Sequence, residues 1–187
     1  MKTFLLAALA LLGGCALNRP DHFYALDSGH PRTLDPRSAF AAQVTLRISL
    51  PSLVDRSEMV LVNPDGVQIL EHERWAAPLG EQFTTVLGQD IEERREDVIL
   101  SSRRIGQPGM RSVTIGIDVV QLTMQRSTGV RLEARWRLEY GRDEKVSQGR
   151  ETFMAPSADA SFISLARAVD ACLGLLADRL VADIPHD

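Results

Sequence analysis

Residues 130–140 alternate without a break: Val130, Leu132, Ala134, Trp136, Leu138 and Tyr140 fall on one side, and Arg131, Glu133, Arg135, Arg137 and Glu139 on the other. Period two over eleven residues is the pattern of a β-strand. One face is wholly apolar and the other wholly charged. Such a strand belongs to a sheet covered on one side and wet, or in polar contact with a partner, on the other. The rest of the chain must therefore supply neighbouring strands and something to cover the apolar face.

Both are present. Over 43–50 Val44, Leu46, Ile48 and Leu50 alternate against Thr45, Arg47 and Ser49, and Pro51 ends the strand. Residues 59–62 and 67–70 flank Asn63-Pro64-Asp65-Gly66, where Pro presets one torsion and Gly permits positive φ, so this pair reads as a hairpin. Val113, Ile115, Ile117 and Val119 alternate, then Val120, Leu122 and Met124 continue in the opposite phase. A β-bulge near Val119-Val120 restores the register, and a strand buried on both faces is the rival explanation. Residues 23–26, 98–101 and 146–153 give three more strand candidates, and 27–37 reads as loop.

Two segments change period. From Pro78, Leu79, Phe83, Val86, Leu87 and Ile91 recur at three and four, with Glu81, Gln82, Gln89, Glu92 and Glu93 on the other face. Pro suits a helix's first turn, where a missing N–H costs nothing. Phe162, Leu165, Ala166, Val169, Leu173, Leu176 and Leu180 make a long final amphipathic helix, for which Ser157 and Ser161 are both plausible N-caps. The expected fold is α/β of the mixed α+β kind: one domain, a mixed and largely antiparallel sheet packed with two main amphipathic helices, with parallel pairing possible around the first.

The chain opens with Lys2, nine apolar residues over 4–12, and Leu12-Gly13-Gly14-Cys15. A spanning helix needs roughly twenty apolar residues, so this is a targeting segment rather than a membrane span. The tetrapeptide resembles a bacterial lipobox. That resemblance implies removal of 1–14 and lipidation of Cys15, with a chance cysteine after an ordinary secretory peptide as the bland alternative. Alanine rather than aspartate follows the cysteine, which favours attachment to the outer membrane, facing the periplasm. Residues 15–42 would be the lipidated Cys, tether, first short strand and loop, and 43–187 the periplasmic domain.

Removing 14 of 187 residues leaves 173, enough for one ordinary domain with a proper core. The remaining 20 basic and 25 acidic side chains give −5, and nothing suggests nucleic acid. With Cys15 lipidated only Cys172 remains, so no intrachain disulfide can form, and its place on an apolar helix stripe reads as packing. None of His22, His30, His72 and His186 lies three or four residues from another His or a Cys, so no metal or other cofactor is expected. His72, between Glu71 and Glu73, is the best acid-base candidate, yet Glu-His-Glu-Arg on a strand end is ordinarily a solvated charge cluster. The chain carries no nucleophile elbow, phosphate loop or dinucleotide fingerprint, and no catalytic residue is assigned.

Two apolar clusters sit at element boundaries, Leu50-Pro51-Ser52-Leu53-Val54 and Trp75-Ala76-Ala77-Pro78-Leu79. Loops of this composition often bind partners, and the alternative is that Trp75 and Leu79 staple the helix entry into the core. With Phe23-Tyr24-Ala25-Leu26, Asp55-Arg56 and His72-Glu73-Arg74, these segments resemble the PqiC-type auxiliary lipoproteins of ABC transport systems, which accompany mammalian-cell-entry (MCE) lipid transport proteins. The resemblance implies an adaptor, not an enzyme, that docks an MCE-domain protein and its ABC permease and ATPase, supports envelope integrity and self-associates as a homo-oligomer. The expected partner-binding residues are Leu50, Pro51, Leu53, Asp55, Arg56, Trp75, Pro78 and Leu79. A monomeric periplasmic lipid carrier or assembly chaperone is the alternative, and an anchored hydrolase using His72 a distant third.

Overall fold

The computed structural model describes residues 19–29, 40–102, 109–140 and 145–184. Cys15 and residues 30–37 of the expected loop lie outside them. In chain order the elements are β1 (His22–Tyr24), β2 (Ala42–Ser49), β3 (Glu58–Asn63), β4 (Gly66–Trp75), α1 (Leu79–Arg94), β5 (Val98–Leu100), β6 (Arg111–Gln125), β7 (Gly129–Tyr140), β8 (Lys145–Ala155) and α2 (Phe162–Asp183). The fold is mixed α+β, with two helices against two sheets where one sheet was expected. Five strands run β5-β2-β6-β7-β8 and three run β1-β4-β3. The β3–β4 hairpin stands apart because β4 takes β1 as its second neighbour.

Parallel pairing does occur around α1: β2 runs parallel to both β5 and β6. Beyond it β6, β7 and β8 are antiparallel. Val119 pairs with Ala134 and Gln121 with Glu133, so Val120 is the extra residue of a bulge and is 37% exposed. Leu122 and Met124 then return to the buried face, which excludes a strand buried on both sides.

That face is covered by the helices. Leu79, Phe83, Val86, Leu87 and Ile91 of α1 are buried, as are Leu165, Val169, Leu173, Leu176 and Leu180 of α2. Gln82 and Glu92, expected on the solvated face of α1, are buried too. Neighbours on more than one side explain the difference. Gln82 accepts the Leu26 N–H through Oε1 at 2.8 Å and donates to the Ala77 carbonyl at 2.8 Å, while Glu92 Oε1 accepts the Leu100 N–H at 2.8 Å. Each polar group ties an irregular or short segment to the helix, and the bond offsets its desolvation. Of the two serines before α2, Ser161 is the cap and accepts the Ser164 N–H at 3.2 Å. Cys172 faces the Val130 carbonyl and is fully buried, which pushes its thiol up to about 11.

Gly129 opens β7 at φ +106°, where a side chain is strained, and a Cβ there would collide with the Ala155 carbonyl oxygen. Gly129→Ala is expected to lose about 3 kcal/mol. In a chain of this size that lowers the thermal unfolding midpoint by roughly 6–12 °C, measurable by circular dichroism.

Candidate partner-binding surface

The β2–β3 turn is built by Pro51, whose carbonyl accepts the N–H groups of Val54 and Asp55, both at 3.0 Å. This folds Val54 inward and leaves Ser52, Leu53 and Asp55 outside. The turn is fastened to the end of β4, where the Trp75 N–H donates to the Ser57 carbonyl at 2.7 Å, and the Ala76 N–H donates to the Tyr24 carbonyl at 2.8 Å. Pro78 then starts α1. Gly80 lets the turn close on the helix: a Cβ there would stand 3.1 Å from Leu50 Cδ1 and 3.6 Å from Asp55 Oδ1. The two sequence motifs, about twenty-five residues apart in the chain, thus meet at the N-terminus of α1, where the helix dipole favours the Asp55 carboxylate.

Their side chains divide into two sets. Trp75 and Leu79 are buried at 3% and 0% exposure and hold the helix entry in the core. Leu53, Asp55 and Pro78 are exposed, and Leu50, Pro51 and Arg56 are half-buried. Arg56 is held by Glu58 at 3.0 Å.

Beside this junction runs a groove of about 710 Å³ that sequence reasoning missed. Val44, Leu46, Ile48 and Leu100 line its apolar part, and Asp55, Glu81, Thr84, Thr85 and Gln89 are polar members of its wall. β5 is three residues long and pairs with Ala42, Gln43 and Val44, so among the described residues the second half of β2 has no strand beside it on that side. The one sequence trace of it is the shortness of Val98-Ile99-Leu100, which becomes informative only once β2 is known to be its neighbour.

A polar cluster pins β1 onto β4. His72 Nδ1 lies 2.9 Å from Asp21 Oδ1, and Arg74 reaches Asp21, Ser57 and Glu58. The Tyr24 hydroxyl donates to Glu73 at 2.6 Å, and its burial, with that carboxylate, pushes its pKa up to about 12. His72 therefore belongs to a polar network that joins β1 to β4. Among the described residues no three His, Cys, Asp or Glu side chains converge as a metal site requires.

The outer face of the five-stranded sheet carries Arg47, Arg131, Arg135, Arg137 and Arg150 against Asp118, Glu133 and Glu139, in a chain whose net charge is −4. Arg135 pairs with Asp118, Arg150 with Glu133 and Arg137 with Glu139. At the helix pair, Arg94 spans Asp90 on α1 and Asp178 on α2. Nearby, Asp170 Oδ1 accepts the Asp27 N–H at 3.1 Å. Burial, followed by the charges of Asp27 and Asp90, pushes Asp170 up to about 7 against the lowering effect of that hydrogen bond.

Residues 24–181 match the family described as ABC-type transport auxiliary lipoprotein component. The crystal structure of an uncharacterized protein superposes with a TM-score of 0.69 at 11% identity, covering 89% of this chain and 100% of its own. That of a protein from Xanthomonas campestris gives 0.62 at 18% identity, covering 86% and 92%. At such identities the likeness shows the fold alone. No curated protein matches the sequence.

The Asp170 carboxyl titrates near 7 in the fold against an ordinary 3.8. Its contribution to stability is fully present below about pH 4 and is lost as pH rises through 7. Asp170→Asn keeps an acceptor for the Asp27 N–H. Denaturant titrations should find it equal to the parent at pH 4 and more stable at pH 8; parallel pH profiles would contradict this assignment.

Proposed function

Because the chain belongs to the ABC-type transport auxiliary lipoprotein family, a family of transport components rather than enzymes, we propose that it is the anchored adaptor of an MCE-type intermembrane lipid transport system. In this reading residues 1–14 are removed and Cys15 carries the lipid at the periplasmic face of the outer membrane. The domain docks the far end of an MCE-domain assembly served by an ABC permease and ATPase, and so supports envelope integrity. The observation that carries it is the meeting of the Leu50–Asp55 turn with the start of α1 at Gly80, beside a groove to whose wall Asp55 and Pro78 both belong. Trp75 and Leu79 act from beneath, by fixing where α1 begins.

A groove with aliphatic side chains and carboxylates at Asp55 and Glu81 suits an apolar partner segment flanked by basic residues. The charged outer face of the sheet offers a separate surface for contacts between copies. The carrier alternative has one observation in its favour: about 710 Å³ lies in the range of small-molecule sites. Against it, the side chains between the sheet and the helices, among them Leu132, Leu138, Leu173 and Leu176, are at 0% exposure, so that interior is filled by the protein itself.

Photocrosslinking from Leu53 and Glu81 to a co-encoded MCE protein tests the adaptor. Leu53→Asp combined with Thr84→Trp, which blocks the groove, is expected to weaken capture about tenfold, equivalent to roughly 1.4 kcal/mol, with the circular dichroism spectrum unchanged. Unaltered capture would remove this surface from the interface, and a monomer retaining lipid in native mass spectrometry would favour the carrier.

A further inference from the structure

The β3–β4 hairpin presents an aliphatic face that the docking surface does not use. Cross-strand pairing sets Val60 opposite Ile69 and Val62 opposite Val67, and side chains of such pairs share one face of a sheet. Val60 is buried, Val62 half-buried, and Val67 and Ile69 are 50% and 44% exposed. From Met59 to Leu70 the single ionisable side chain is Asp65, in the turn. The tip thus presents branched aliphatic side chains with no basic residue to seek an anionic partner.

The path of the N-terminal chain says what lies beside this tip. β1 runs parallel to β4, with His22 opposite Glu73, and Asp21 one residue earlier meets His72. Read backward from Tyr24, β1 therefore points along β4 toward the Gly66 turn. Cys15 is six residues before Asp21, a reach of about 20 Å at most. From His72 back to Val67 is five strand residues, about 17 Å. A lipid on Cys15 can therefore reach the bilayer surface from the same end of the molecule as Val67 and Ile69.

We propose that the β3–β4 tip rests on the membrane, with Val67 and Ile69 inserted among neutral phospholipids next to the anchor. This rests on the reading of Cys15 as lipidated. The anchor tethers the domain, and the hairpin sets its orientation: a second point of contact removes rotation about a flexible tether and fixes the direction in which the α1 groove faces. Burying two half-exposed aliphatic side chains is too little to hold the protein without the anchor, so the hairpin orients what the lipid retains.

The test uses the full chain, matured and reconstituted in vesicles of phosphatidylcholine and phosphatidylethanolamine. A polarity-sensitive fluorophore is attached at Val67→Cys or, as control, at Gln148→Cys on β8; buried Cys172 takes no label. The expected result is a blue shift at position 67 with loss of about half the emission to brominated lipids, as for side chains about 5–10 Å deep, and none at 148. A lipidated protein whose two labels behave alike overturns the hairpin contact and leaves the anchor standing. A blue shift that grows with protein concentration in the absence of vesicles assigns the tip to a second copy and also overturns it. An intact mass showing unacylated Cys15 overturns the anchor reading, and this proposal with it.

Discussion

A fifteen-residue strand with solvent on one face and core on the other must keep a single apolar phase along its whole length, and β6 does so only by leaving out Val120. Before the bulge Val113, Ile115, Ile117 and Val119 face the helices; after it Leu122 and Met124 do. One residue out of phase would place those last two side chains in water and their polar neighbours in the core. The first half of β6 lies between β2 and β7. Past the bulge it reaches the second sheet, where the Gln125 side-chain amide donates to the Val62 carbonyl at 2.8 Å. A single strand thereby sets the relation between the five-stranded layer and the hairpin.

The helices are held to this framework by groups that read as solvated. Glu92 fixes β5 through the Leu100 amide. Arg95, 5% exposed, grips Asp97 through two 2.7 Å bonds and donates to the Ile184 carbonyl at 3.0 Å, so the end of α1, the start of β5 and the end of α2 close on one guanidinium. Arg94 does the same between the helices. Such contacts are weak when exposed but costly to leave half-made when buried, and they explain how a three-residue strand keeps a defined place.

Periodicity carried most of the architecture. The alternation at 130–140 and 43–50, the phase change at Val119-Val120, the Asn63–Gly66 turn and both helix stripes are local patterns and reappear as elements at those positions. Three features were not legible, for one reason: they depend on which segments become neighbours. The hairpin forms its own sheet because β1 adds to β4. Gln82 and Glu92 are buried because other segments pass over their helix face. The groove lies along the half of β2 that, among the described residues, β5 leaves without a neighbour. The candidate surface was half legible. The motifs at 50–56 and 75–79 do meet, but composition could not separate the residues that face out, Leu53, Asp55 and Pro78, from Trp75 and Leu79, which hold them there.

The burial of Cys172 reaches beyond packing. A thiol with 0% exposure, pushed up to about 11, has almost no thiolate at neutral pH to attack a disulfide or take up an oxidant. With Cys172 free, the described fold is held by packing, hydrogen bonds and ion pairs and by no disulfide, so its stability does not depend on a thiol–disulfide balance. Folding can finish on either side of a membrane without help from thiol-exchange enzymes acting on Cys172, and passage from one redox environment to another leaves that thiol unchanged.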